Sequence, residues 1–225
     1  MKFPAAPVAA LALATAVSLT APVTAQAGAG DLQVRVRTIG VLPTGDSGPI
    51  QPTFPGASLS AGNAVVPEID LTYFVTDNIG LELIAATTRH QIKGQGALAG
   101  LDNAASAWLL PPTLTLQYHF NPEGQFRPYV GAGINWTLFY GERADGSLVN
   151  AVGPTKVEAT NSLGLAMQAG FDYEIAKNWV INADIKYIRL DTNVSLDTGL
   201  GTQRTNLAIN PVIIGIGLGY SFNLF

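Results

Sequence analysis

The sequence predicts an all-β fold, an eight-stranded antiparallel transmembrane β-barrel. Three observations carry that prediction. Eight segments of roughly ten residues alternate apolar and polar side chains, the period of a strand with two unlike faces. The connections between them alternate between tight and long. Only 12% of the 225 residues are charged while 48% are hydrophobic, about half the charge of an ordinary soluble domain.

The first segment is Leu32–Leu42, with Leu32, Val34 and Val36 opposed to Gln33, Arg35 and Arg37. The second, Val65–Phe74, sets Ile69, Leu71 and Tyr73 against Glu68, Asp70 and Thr72. The third, Ile79–Thr87, sets Ile79, Leu81 and Leu83 against Gly80 and Glu82. In the fourth, Leu109–Phe120, Leu114, Leu116, Tyr118 and Phe120 oppose Thr113, Thr115, Gln117 and His119. The fifth, Phe126–Phe139, alternates Pro128, Val130, Ala132, Ile134 and Trp136 with Arg127, Tyr129, Gly131, Gly133 and Asn135. The sixth, Leu163–Ile175, opposes Met167, Ala169, Phe171 and Tyr173 to Gln168, Gly170, Asp172 and Glu174. The seventh, Trp179–Leu190, opposes Trp179, Ile181, Ala183, Ile185 and Tyr187 to Asn182, Asp184 and Lys186. The eighth, Leu207–Phe222, ends with Val212, Ile214, Ile216, Leu218, Tyr220 and Phe222 opposite Gly215, Gly217, Gly219 and Ser221.

Tight connections follow the second, fourth and sixth segments, at Thr76–Asn78, Asn121–Gln125 and Ala176–Asn178. Long ones, rich in Gly, Asp, Ser, Thr and Pro, follow the first, third, fifth and seventh. Short turns at one end and long loops at the other are the layout of an outer-membrane barrel. A soluble ligand-carrying barrel would have the opposite polarity, apolar inside and charged outside. The periodic charges are too few to coat such a barrel. Aromatic residues on the apolar face also crowd the short-turn end: Tyr73, Tyr118, Phe120, Phe126, Tyr173, Trp179, Tyr220 and Phe222. They read as an interfacial girdle, with Trp136 and Tyr187 in the opposite one. Turning Arg35 and Arg37 to lipid would cost about 2–4 kcal/mol each near the midplane.

Residues 1–27 read as a cleavable signal peptide, leaving the barrel to 28–225. Lys2 is followed by an Ala-rich apolar run, Val8–Leu19, and a small-residue close, Ala25-Gln26-Ala27. A membrane-spanning anchor is the rival, but Thr15, Ser18, Thr20 and Pro22 interrupt the run.

The composition narrows the chemistry. With no Cys and two His, thiolate sites, His-rich metal centres and Ser-His-Asp catalysis are poorly supplied. A net charge of −4 leaves no basic face for nucleic acid. Glu68, Asp70 and Glu82 are carboxylates on neighbouring segments, yet no nucleophile is spaced to complete a hydrolytic site. No catalytic residue, metal or cofactor is assigned. His90 is placed in a loop. The inward glycines are read as making room for large neighbours such as Arg127 and Tyr129.

Four tracts carry a resemblance: Phe74–Leu83 (FVTDNIGLEL), Leu110–Leu114 (LPPTL), Phe126–Asn135 (FRPYVGAGIN) and the closing Gly219–Phe222 (GYSF). In this order they are similar to the OmpW family, over nearly all of the chain after the signal. The resemblance implies a Gram-negative outer-membrane barrel of eight strands, related to the alkane-uptake barrels. It also implies a hydrophobic channel for small apolar molecules released sideways into the membrane. Outer-membrane barrels resemble one another in a C-terminal signal for the assembly machinery. Here Gly217, Tyr220 and Phe222 fit its spacing better than Phe225, which would set Asn223 at an aromatic position.

The inward set divides by height. Toward the short turns it holds Arg35, Arg37, Asp70, Glu82, His119, Arg127, Asp172, Glu174, Asp184 and Lys186. Charges of both signs in a narrow lumen should pair and plug it. Toward the long loops it holds Ile39, Val41, Val66, Ile84, Ala86, Leu109, Pro111, Ile188, Leu190, Leu207 and Ile209. Such an interior suits a pocket for an apolar solute, worth roughly 0.8 kcal/mol per buried methylene; alternatively it is a packed core under folded loops. Pro67, Pro111, Pro112 and Pro211 fall in the upper halves of their segments. Proline donates nothing to a ladder, so the pair Pro111-Pro112 either opens a lateral gate or merely tapers a strand. The expected function is passive uptake of small hydrophobic molecules. The alternative is an envelope-supporting or receptor barrel with a packed lumen. The expected partners are outer-membrane lipid, small apolar solutes and the assembly machinery.

Overall fold

A computed structural model describes residues 28–101 and 103–224. The segment assigned to the signal peptide, and Phe225, lie outside the described residues. In chain order the elements are β1 (Leu32–Leu42), β2 (Ala57–Ala61), β3 (Ala64–Phe74), β4 (Ile79–Ala86), β5 (Thr88–Gly96), β6 (Ala105–Leu110), β7 (Thr113–His119) and β8 (Phe126–Ala144). There follow α1 (Gly146–Val152), β9 (Lys156–Ala159), β10 (Ser162–Ala176), β11 (Trp179–Ile188), β12 (Asp191–Thr198), β13 (Gly201–Ala208) and β14 (Val212–Phe222).

Eight of these strands close a barrel, in the order β1-β3-β4-β7-β8-β10-β11-β14 and back to β1, each neighbour antiparallel. Closure satisfies the backbone groups that a lipid environment cannot. The wall is one residue thick, and its two faces are those the alternation demands. Leu116, Tyr118, Ile134, Trp136, Met167, Ile185 and Ile216 are exposed outward, while Gln33, Arg35, Asp70, Glu82 and Asn182 are wholly buried inside. The eight short-turn aromatics all stand on the outer face, and Trp108 and Tyr140 join Trp136 and Tyr187 at the other end.

The short turns follow from their residues. Thr76 Oγ1 accepts from the amides of Asn78 and Ile79, at 3.3 and 3.0 Å. Asn178 sits at φ 66°, the left-handed geometry that asparagine tolerates in a two-residue turn.

A narrow lumen also explains the glycines. On β14, Gly219, Gly217 and Gly215 lie opposite Arg35, Arg37 and Ile39 in register. A Cβ at Gly217 would collide with the Val36 carbonyl and the Arg37 backbone. Gly131 makes room for Gln168 and Gln117, and Gly170 for Tyr129 and Asp184. Arg127, expected as a beneficiary, is not among these neighbours.

The long connections depart most from the sequence reading. They continue the wall as further strands, forming β2-β5-β6 beside the upper half of β8 and a second sheet, β13-β12-β9. The first connection folds across both, through bridges Asp46–Ser60, Ser47–Leu207 and Gln51–Arg204. Four segments expected to be continuous or longer are broken or shortened. The fourth breaks at Pro111-Pro112 and the eighth at Ile209–Pro211, because proline supplies no ladder donor. The third stops at Ala86 and the seventh at Ile188. The fifth instead runs on to Ala144. His90 is no loop residue: it lies on β5 with 2% of its surface exposed.

Candidate functional site

The lumen is built in levels from the short-turn end upward. Lowest, Arg127 pairs with Glu174, and its Nε donates to the Gly124 carbonyl at 2.9 Å. His119 is packed between the rings of Phe74 and Tyr129, 5.0 Å from each, with Nε2 3.0 Å from Gln117 Oε1.

Above them Arg35 reaches from β1 across the barrel. Its guanidinium donates to Glu82 on β4 at 3.0 Å, to Thr72 on β3 at 3.0 Å and to Asp172 on β10 at 2.8 Å. It also lies over the Tyr129 ring, 5.4 Å from the centroid. The second oxygen of Glu82 accepts from Thr115 and Gln168, and Asn182 donates to both Asp172 and the Tyr129 hydroxyl.

One level higher, two residues along β1, Arg37 takes Asp70 at 2.7 Å, Asp184 at 2.7 Å and Glu68. Lys186 lies 3.7 Å from Glu68. The arginines suit the task because a rigid, always-charged fork can hold carboxylates on opposite walls at once. Every charged residue of this middle region is at most 6% exposed.

The charges expected from sequence are thus brought into contact in two arginine-centred clusters, with Arg127–Glu174 as a separate pair below. Alternation placed the neutral members inward, but the expected site counted only the charges and His119. Tyr129, Gln168, Asn182, Thr72 and Thr115 are as buried as the charges, and their inward parity was the available signal. Glu68, read only as one of three neighbouring carboxylates, is held by Arg37.

Above Arg37 the lumen turns apolar. A lower cavity has about 30 Å³ open to the centre of a water molecule, lined by Ile39, Val41, Ile84, Ala86, Leu109, Pro111, Ile188, Leu190 and Ile209, with Glu68 and Lys186 at its floor. An upper cavity of about 40 Å³ continues past Leu109, Ile209 and Leu207 to Leu59, Ile92, Leu148, Val194 and Leu196. His90 lines both, its Nδ1 donating to the Gly62 carbonyl at 2.7 Å. Since a water needs about 10–15 Å³ by this measure, the cavities have room for roughly two to four waters each, or for part of one small apolar molecule.

Ten of the eleven expected apolar lumen residues line one of the two cavities. Val66 is half-buried and packs against the same apolar core, and it also lines an outer groove with Ala64 and Arg89. The β3–β4 ladder stops at Glu68–Ala86, one residue from Pro67; above it β3 stays paired with β1 but has no ladder on its other side.

The wall beside the lower cavity is thin at a second place. Pairing of β4 with β7 ends at Ile84–Thr113, and pairing of β5 with β6 begins at Thr88–Leu109. Between them Ala85–Thr87 and Leu110–Pro112 face each other without a ladder. The Thr87 hydroxyl, 3.3 Å from the Leu109 carbonyl, spans the break. The break at Pro211 differs: Leu190 N–H donates to Asn210 Oδ1 at 2.9 Å, Ile209 N–H to the Leu190 carbonyl at 2.8 Å and Ile188 N–H to the Pro211 carbonyl at 3.2 Å.

A family model described as the OmpW family matches residues 28–222, all eight barrel strands included. The chain belongs to the OmpW family. It is similar to an uncharacterized outer-membrane protein, y4mB, of Sinorhizobium fredii, 44% identical over 93% of this chain and 90% of that one. Outer membrane protein W of Vibrio cholerae is 35% identical over 86% of this chain and 89% of its own. Among solved structures, the outer membrane protein OprG of Pseudomonas aeruginosa superposes with a TM-score of 0.82 at 28% identity, covering 87% of this chain and 97% of that one. An OmpW-family barrel with this lipid-facing surface is an outer-membrane protein of a Gram-negative bacterium.

In this OmpW-family chain the residues of the expected assembly signal lie on the closing strand. Tyr220 packs edge-on against Trp179 and Phe222, 5.0 and 4.7 Å between centroids, on the outer face. Gly217 faces inward opposite Arg37.

Proposed function

We propose that this barrel is a passive channel through which small hydrophobic molecules enter from outside and leave sideways into the membrane. One observation carries the reading: the apolar cavities end on a buried, fully crossed ionic floor, and the unladdered stretch of wall stands beside them. An apolar solute gains roughly 0.8 kcal/mol per methylene buried in the cavities. It offers nothing to Arg35 and Arg37 in exchange for their carboxylates, so breaking through is unfavourable by several kcal/mol. Pro111 lines the lower cavity and belongs to the unladdered seam, which makes Pro111-Pro112 the natural side exit.

The smallness of the cavities favours a second reading, a barrel with a packed lumen that supports the envelope or displays its upper strands. Uptake of an apolar dye by proteoliposomes separates the two. Ile84→Arg or Leu190→Asp should reduce uptake by the channel tenfold or more, since either would set a charge against the cavity. Unchanged uptake in both variants would leave the packed barrel as the reading.

A further inference from the structure

The floor of the lower cavity contains a donor that the fold does not satisfy. Lys186 is 1% exposed, yet among the described residues no hydrogen-bond acceptor reaches its Nζ. Its ion-pair partner, Glu68 Oε1, is 3.7 Å away, beyond hydrogen-bond distance, and that oxygen is already held by Arg37. A buried ammonium with unused N–H groups is costly, and the cost falls when an oxygen is supplied. Lys186 lines the lower cavity together with Ile39, Ile188, Ile209 and Ile213.

We propose that the lower cavity is a subsite for apolar solutes that carry one neutral oxygen, such as alkanols and alkanones. The oxygen accepts from Lys186 Nζ and the hydrocarbon lies upward along the isoleucines. This rests on the channel reading above and names the solute class. A carboxylate head is disfavoured. The surrounding clusters contain Glu68, Asp70, Glu82, Asp172 and Asp184 against Arg35, Arg37 and Lys186, an excess of negative charge that repels an anion but not a dipole. A pure alkane would fill the same space and leave the ammonium unsatisfied.

The test is the binding of radiolabelled decan-1-ol and decane to the barrel in phosphatidylcholine nanodiscs, as the excess over empty nanodiscs. Wild type should favour decan-1-ol at this site by about tenfold, the worth of a hydrogen bond to a charged donor. Lys186→Met should abolish the preference and keep decane binding, while Lys186→Gln, which retains a donor, should restore part of it. In the wild-type protein the Lys186 15Nζ resonance should move on adding decan-1-ol and stay put with decane, a readout independent of whether the variants fold. Decane bound without any alcohol preference, or a preference that survives in Lys186→Met, overturns the subsite and spares the channel; a stationary Lys186 resonance overturns it too. Neither solute binding above empty nanodiscs overturns both.

Discussion

Arg35 and Arg37 show why single residues matter so much inside this barrel. Each guanidinium holds carboxylates contributed by two different strands, and both sides of every pair are buried. A buried ion pair adds little compared with a hydrophobic filling, but losing one partner strands the other. Arg35→Met should therefore destabilise the protein by about 3–5 kcal/mol, read from urea unfolding in lipid vesicles; a loss under 1 kcal/mol would mean Glu82 and Asp172 find other partners. Glycine is constrained as tightly. Gly217→Val should block assembly of heat-modifiable barrel, because the Cβ meets backbone, whereas Gly56→Ala has open space around it and should assemble normally. At the C-terminus, Phe222 is paired with Leu32 at the barrel seam. Phe222→Ala should impair assembly more than deletion of 223–225, and the reverse ranking would move the signal to Phe225.

Among the elements, the two broken strand pairs invite comparison. Both breaks contain proline, but the one at Pro211 is crossed by backbone amides and by the Asn210 side chain at φ 40°, whereas the Thr87 hydroxyl alone crosses the other, whose proline carbonyls are held from the far side by Asn135 and Trp136 of β8. Asn210→Ala removes the acceptor for a buried amide and should cost about 1–3 kcal/mol, visible as faster amide exchange at Leu190. At the other seam, Pro111→Val with Pro112→Val supplies the missing donors. If that seam is the exit, the double variant should slow delivery of an apolar dye to the membrane several-fold without loss of stability; unchanged delivery would reduce these prolines to strand ends.

Across the whole molecule, the interior has two halves of opposite character, and ions should not pass the lower one. Planar-bilayer recordings should show no large steady conductance from the wild-type barrel. Arg35→Ser with Arg37→Ser should raise conductance in the population that still inserts, because two large side chains then no longer fill the lumen. A large open-channel current from the wild type would contradict the crossed ion pairs.

The alternation of strands such as β11 and β14, the lipid-facing girdle and the inward charges were legible in the residues themselves. A period of two with greasy side chains on one face admits one orientation in a bilayer, and parity then sends Arg35, Asp70 and Lys186 inside. The added upper strands were not legible. In β5 and β13 polar residues occupy both faces (Thr88 and His90 against Arg89 and Gln91, Gln203 and Thr205 against Arg204 and Asn206), so no apolar period marks them as strands. Tertiary structure alone decided which carboxylate each arginine takes, that backbone amides cross the break at Pro211 but a lone hydroxyl the one at Pro111-Pro112, and that Lys186 stops short of its partner. Parity along a strand fixes the face a side chain occupies. Barrel closure and register fix what it meets across the lumen, and those depend on strands far apart in the chain.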